Sequence, residues 1–225
     1  RDRVTIVTGL ALLEFIRRGL IHDEPALSTP NGEKRSTMAR VFAILMVTMF
    51  LAGLIFSATQ TSLPKMFAER SLALIGESAL GVGVLVALVY GMAGIMQIVS
   101  GHLADLFPLK SVYLGALLIQ VPLLWLAASL GGVSLVLVAT MMVVASVGAL
   151  PAENLILMRY APSGRHGLTF GVKFVLGFGA VPLAVQLVAL ITERTGGFYW
   201  VFVTLALFAL AASTAALFLP RQLER

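Results

Sequence analysis

The chain has 225 residues, 59% of them hydrophobic and 12% charged, with a mean hydropathy of +0.96. Soluble domains carry about a quarter charged residues, so this composition excludes one, and the apolar runs approach the roughly 20 residues that cross a hydrocarbon core. With no cysteine, a disulfide framework and a thiolate metal site are excluded as well.

Residues 1–38 stand apart from the rest of the chain. "VTIVTGLALLEFIRR" has helical apolar spacing but is too short to span, and charges bracket it. It reads either as an interfacial amphipathic helix or as the stump of a preceding span. "IHDEPALSTPNGEKRST" then reads as a polar cytosolic linker with Pro25, Pro30 and an Asn-Gly turn. No signal peptide precedes it, and the start at Arg1 without an initiator Met leads to the expectation of chain upstream.

Six spans come next, at 39–63, 78–101, 110–130, 132–159, 167–192 and 198–219, forming a bundle over 39–220 with a short cytosolic tail at 221–225. Pro64, "FPLK", "LGG" at 130–132, "APSGRHG" at 161–167 and "RTGG" at 194–197 supply the turns. Loop lysines and arginines orient such proteins. With the N-terminus inside, twelve of them fall on cytosolic segments, and only Lys65, Arg70 and Arg194 fall outside, with Lys173 left within a span. The net charge of +5 is therefore read as topology, with both termini cytosolic, and nucleic acid is not expected as a partner.

Enzyme chemistry finds no foothold. His22, His102 and His166 all fall on the cytosolic side, and the chain has neither a GxSG nor a GxxxxGK[ST] sequence. Histidines and carboxylates do not cluster at metal-ligand spacing. No catalytic residue, metal or cofactor is expected.

Two segments carry more information. "GHLADLFPLK", 101–110, joins the second and third spans, and "LPAENLILMRYAPSGRHGLTFGVKF", 150–174, joins the fourth and fifth. The first resembles the G-x-L-A-D-x-x-G-R-[RK] loop of the major facilitator superfamily through Gly101, Leu103, Ala104, Asp105 and Lys110. It departs from that loop at Leu106, Pro108 and Leu109. The second is similar to the fourth-to-fifth helix region of such a transporter through Glu153, Arg159, Arg165, Gly167 and Gly171. The resemblance covers about residues 39–220. It implies an all-α membrane fold, six helices forming the C-terminal half of a twelve-helix transporter, built as two inverted three-helix repeats. It also implies an N-terminal six-helix half as partner, upstream in the chain or in a second protomer.

An aspartate just beyond a helix C-terminus meets an unfavourable dipole and gains from a partner, either a basic residue or another helix's N-terminus; Arg159 is the obvious candidate partner of Asp105. Glu153 lies six residues deeper than Arg159, about 9 Å at 1.5 Å per residue, and a spacing of six makes no i,i+4 pair. Each must therefore reach a different helix. Asp105, Glu153, Arg159, Lys110 and Arg165 are expected to form a cytosolic charge cluster, either an inner gate or a static tie between helix ends. Lys173 reads as a snorkelling lysine, with a substrate or proton site as the sharper alternative.

Pro151 and Pro182 interrupt the fourth and fifth spans, where neighbours can re-satisfy freed carbonyls. The second and fifth spans are rich in glycine (Gly81, Gly83, Gly91, Gly94; Gly167, Gly171, Gly177, Gly179), which permits close helix approach. Phe50, Ser57, Gln60, Tyr90, Gln97, Ser146 and Lys173 are the candidates for a substrate cavity, each also readable as packing or helix-helix glue. The expected function is secondary active transport of a small molecule by alternating access, ion-coupled (protons being one candidate) or facilitative. The setting is the lipid bilayer of a bacterial inner membrane. The alternative is a non-transporting six-helix protein: a sensor, a scaffold or a channel subunit.

Overall fold

A computed structural model describes residues 35–71, 79–161 and 166–220. The expectations for 1–34, for Arg165 and for 221–225 fall outside those residues. Among the described residues the chain is all helical: α1 (Arg35–Arg70), α2 (Ala79–Leu106), α3 (Leu109–Ser129), α4 (Gly132–Tyr160), α5 (His166–Thr195) and α6 (Tyr199–Leu217). All six are long and apolar enough to cross a membrane. Side chains that are apolar all round a helix suit a lipid environment rather than a half-wetted surface.

The expected stop at Pro64 is not taken. Pro64 lies inside α1, which continues to Arg70. A proline costs the helix one backbone bond, at the carbonyl four residues earlier. Ending the helix there would leave four carbonyls without partners, and in lipid each unmet carbonyl is expensive. Beyond the proline, Met66 and Phe67 are fully buried. Pro122, Pro151 and Pro182 are likewise enclosed by α3, α4 and α5.

The turns at the other breaks are short. Phe107 and Pro108 link α2 to α3, and Leu130 with Gly131 links α3 to α4. α5 stops where Gly196, at φ +74°, donates its amide to the Thr192 carbonyl over 2.9 Å, a left-handed glycine cap. Gly132 opens α4 at φ +61°. Gly132→Ala is expected to cost about 1–2 kcal/mol, the penalty for a Cβ in the left-handed region. Gly115→Ala in mid-α3, where an added Cβ meets nothing within 4 Å, should be neutral or stabilising. Unfolding midpoints in detergent will separate the two.

Packing does not follow chain order. α1 lies against α5 and, less extensively, against α6; α2 lies against α4; α3 lies against both α4 and α6. α1 also meets α4, whereas α2 and α3 barely touch and α4 shares no extended backbone contact with α5. Two close approaches set these pairings. A Cβ on Gly53 of α1 would stand 3.3 Å from the Ala180 Cβ of α5, and one on Gly148 of α4 would stand 2.8 Å from the Ser100 Oγ of α2. α6 buries Leu205, Ala209, Ala212 and Ala216 on one stripe, and small side chains there let its neighbours come close.

The core falls into two clusters along the bundle. One, with Phe67, Met142, Ala180 and Phe202, fills the half where α1 ends and α6 begins. The other, with Leu45, Tyr113, Ile156, Leu157 and Ala216, fills the half where α3 begins and α4 ends. At the first end, Arg70 donates to the Ala128 carbonyl over 2.8 Å, and Trp125, Tyr199 and Trp200 are exposed. At the second, Lys110 donates to the Leu219 carbonyl over 2.7 Å, and Arg40 and Arg159 lie nearby in chain terms. We call these the aromatic end and the basic end; tryptophan and tyrosine are enriched where a membrane meets water.

Candidate functional site

The site is built from helix positions that share a depth at the basic end. Glu153 lies seven residues before Tyr160 on α4, and Lys173 lies seven residues after His166 on α5. Seven residues are about 10 Å of helix, which places both well inside the apolar zone. Lys173 Nζ meets Glu153 Oε1 at 2.6 Å and donates to Asn154 Oδ1 over 2.5 Å. The side chains of Glu153 and Lys173 are 4% and 14% exposed.

The second carboxylate oxygen is also engaged. Tyr113 Oη, from the first turns of α3, lies 3.3 Å from Glu153 Oε2 and 2.9 Å from Thr48 Oγ1 of α1. Thr48 in turn reaches the Leu45 carbonyl over 3.0 Å. Four helices thus converge on one ion pair. Burying two charges is repaid only when further hydrogen bonds satisfy the remaining lone pairs and protons; Tyr113 and Asn154 supply those bonds here. The α4 and α5 backbones do not pack together, so at this end a polar bridge of side chains holds one helix to the other.

The placement corrects part of the sequence reading. Glu153 does reach another helix, and its partner there is Lys173, which the expected charge cluster did not include. Lys173 turns inward to a carboxylate instead of snorkelling, because a partner at its own depth lies within reach of its stem. Asp105 belongs to the last turn of α2 rather than lying beyond it, and it is exposed. No ion pair joins it to Arg159, which is half-buried in the last turn of α4. Lys110 serves as a tie from α3 to the end of α6. Arg165 lies outside the described residues.

The glycine expectation also changes. A Cβ at Gly101, Gly167 or Gly171 would meet nothing within 4 Å, and the same holds at Gly83, Gly91, Gly94, Gly177 and Gly179. Among the described residues the close approaches belong to Gly53, Gly131 and Gly148 instead.

The cavity candidates scatter. Phe50 is half-buried against the core, Ser57 is buried, and Gln60 and Gln97 are exposed. Ser146 accepts a hydrogen bond from Gln120 of α3, so it ties two helices at mid-depth. Tyr90 stacks edge-on against Phe56, ring centroids 6.2 Å apart, with its buried hydroxyl unpartnered. Among the described residues no three His, Cys, Asp or Glu side chains gather as a metal site would require. No sequence pattern singles out Thr48, Tyr113 or Asn154; equal depth from the basic end is the signal that links Glu153 to Lys173.

Compared with known proteins, the chain is matched by no family model and by no curated sequence.

Proposed function

We propose that the chain is a six-helix half of a secondary transporter of the major facilitator type, moving a small molecule by alternating access. The observation that carries this reading is the buried Glu153–Lys173 pair bridging two helices whose backbones otherwise stay apart. Ionisable groups at membrane depth are costly and mark pathways and moving parts. A pair at one end only suits a gate better than a pore, which needs a polar stripe through the full depth.

The packing order supports the repeat expected of such a transporter. Exchanging the first three helices with the last three turns the α1–α5 pairing into α4–α2 and leaves α3–α6 and α1–α4 unchanged, as two inverted repeats require. In this reading the basic end is cytosolic, and a second six-helix bundle faces this one across the substrate path. Glu153, Lys173, Tyr113, Asn154 and Thr48 latch α5 to α4 while the inner gate is shut.

The test is solute counterflow with the native-length polypeptide in liposomes, using a panel of radiolabelled sugars, amino acids, organic acids and amphiphilic drugs. The expected result is saturable flux of one class, accelerated by unlabelled solute on the far side and lost in Glu153→Ala. Unitary current steps without counterflow for any compound would replace the transporter with a channel.

A further inference from the structure

Polar side chains of α1 and α2 come together at one depth. Gln60 lies ten residues before the end of α1 at Arg70, and Tyr90 lies eleven residues after the start of α2 at Ala79. At 1.5 Å per residue both stand about 15–17 Å from the aromatic end. The Phe56 ring meets the Tyr90 ring edge-on, centroids 6.2 Å apart. One turn further along α1, Thr59 and Gln60 fall on either side of the direction in which Phe56 points, which is the direction of Tyr90. Gln97 follows Tyr90 on the same face of α2, two turns nearer the basic end, with Gly94 between them.

These groups are not used by the fold. Tyr90 Oη and Thr59 Oγ1 are buried without a hydrogen-bond partner among the described residues, Thr59 being 4% exposed. Buried hydroxyls ordinarily find one. Thr61, Thr140 and Thr192 turn theirs back to the carbonyl four residues earlier; Thr59 does not. Gln60 and Gln97 are exposed on the bundle, deep within helices that are otherwise apolar. A carboxamide turned toward hydrocarbon leaves its donors and acceptor unmet, which is costly. This face of α1 and α2 therefore meets water or a solute, not lipid tails.

We propose that Thr59, Gln60, Tyr90 and Gln97 form a binding site for an uncharged, hydroxyl-bearing solute. This rests on the transporter reading and names the class of molecule it moves. Hydroxyls and carboxamides both donate and accept hydrogen bonds, and a solute hydroxyl does the same in return. Charge is missing from the site: α1 has no charged side chain between Arg40 and Lys65, and α2 has none between Ala79 and His102. The buried ions of the bundle, Glu153 and Lys173, satisfy each other. A carboxylate or an ammonium group placed here would lose its water and find no counter-charge. Gly94 leaves room on α2 between the two polar positions, since a Cβ there would meet nothing within 4 Å.

The other cavity candidates stay outside it. Phe50 packs against the core, and Ser146 is taken by Gln120. Ser57 lies one turn from Gly53 on the side of α1 that faces α5, not α2.

The experiment is alkylation of Gly94→Cys by N-ethylmaleimide in the native-length protein in lipid nanodiscs, read by mass spectrometry on the peptide that carries the cysteine. The thiolate is the reacting form, and it exists in water rather than in hydrocarbon. Leu207→Cys, exposed midway along α6, is the lipid-facing comparison. Gly94→Cys should react while Leu207→Cys is spared, and at least one of glucose, myo-inositol, glycerol and uridine should protect it saturably. Lactate, glutamate and lysine should not protect. Tyr90→Phe and Gln97→Leu, each added to Gly94→Cys, should raise the half-protecting concentration about fivefold, the worth of one hydrogen bond, with the unprotected rate unchanged. The proposal is overturned if Gly94→Cys is as inert as Leu207→Cys, if only charged compounds protect, or if none does. Protection equally strong in both double variants also overturns it. Alkylation needs no transport, so counterflow of a charged class beside an unprotected Gly94→Cys rejects this site alone. Protection by a neutral solute without counterflow leaves the site standing and removes the transporter.

Discussion

Lys173→Met will destabilise the bundle by about 3–5 kcal/mol, the usual cost of removing one member of a buried ion pair. Adding Glu153→Leu should restore most of the loss, since a buried pair replaced by apolar side chains is often neutral or better. Glu153→Leu alone should cost less than Lys173→Met alone. Its stranded lysine is 14% exposed and can swing its stem toward the interface, while Glu153 has no such exit. Reversible unfolding in mixed detergent micelles gives the three values. Additive single losses would mean that the two side chains do not act as a pair.

The next largest effect is expected at the α2–α4 contact. Gly148→Ala places a Cβ 2.8 Å from Ser100 Oγ and 3.6 Å from Ser100 Cβ. The hydroxyl already donates to the Met96 carbonyl over 3.0 Å, so it must give up that geometry or push the helices apart. Overpacking of this kind costs about 1–3 kcal/mol. Ser100→Ala in the same chain removes the clashing atom and should recover the loss. Gly94→Ala on the open side of α2, with nothing within 4 Å of its Cβ, is the neutral comparison. If Gly148→Ala proves neutral and Ser100→Ala changes nothing, α2 and α4 are not in van der Waals contact there.

The spans are readable because lipid imposes a length and a composition on each of them separately. Pro64 misleads for the same reason that it draws notice: a breaker looks like an end, unless the carbonyls beyond it would have nowhere to go. The site is harder to read. Glu153 stands out as a carboxylate too deep to be idle, but choosing its partner requires the rotation of each helix about its own axis. Helices that are apolar on every side carry little record of that rotation. Loop position pairs Asp105 with Arg159, yet the first is exposed and the second half-buried, each at the end of its helix. Tyr113 gives no signal, because an aromatic ring in the first turns of a span suits the interface equally well. Depth measured from helix ends pairs Glu153 with Lys173, although it leaves the contribution of Asn154 and Thr48 to the three-dimensional structure.

The pairing of α1 with α5 and of α2 with α4 has a consequence for how the protein is made. A chain inserted from its N-terminus delivers α1 and α2 long before either meets its main neighbour, and α2 finds little to hold in α3. The early helices must wait in the bilayer as separate spans, stable in lipid yet unassembled, until α4 and then α5 arrive. Assembly is therefore a late event during biogenesis. A ribosome stalled after the third helix would leave α1, α2 and α3 in the membrane without the neighbours against which each packs most extensively.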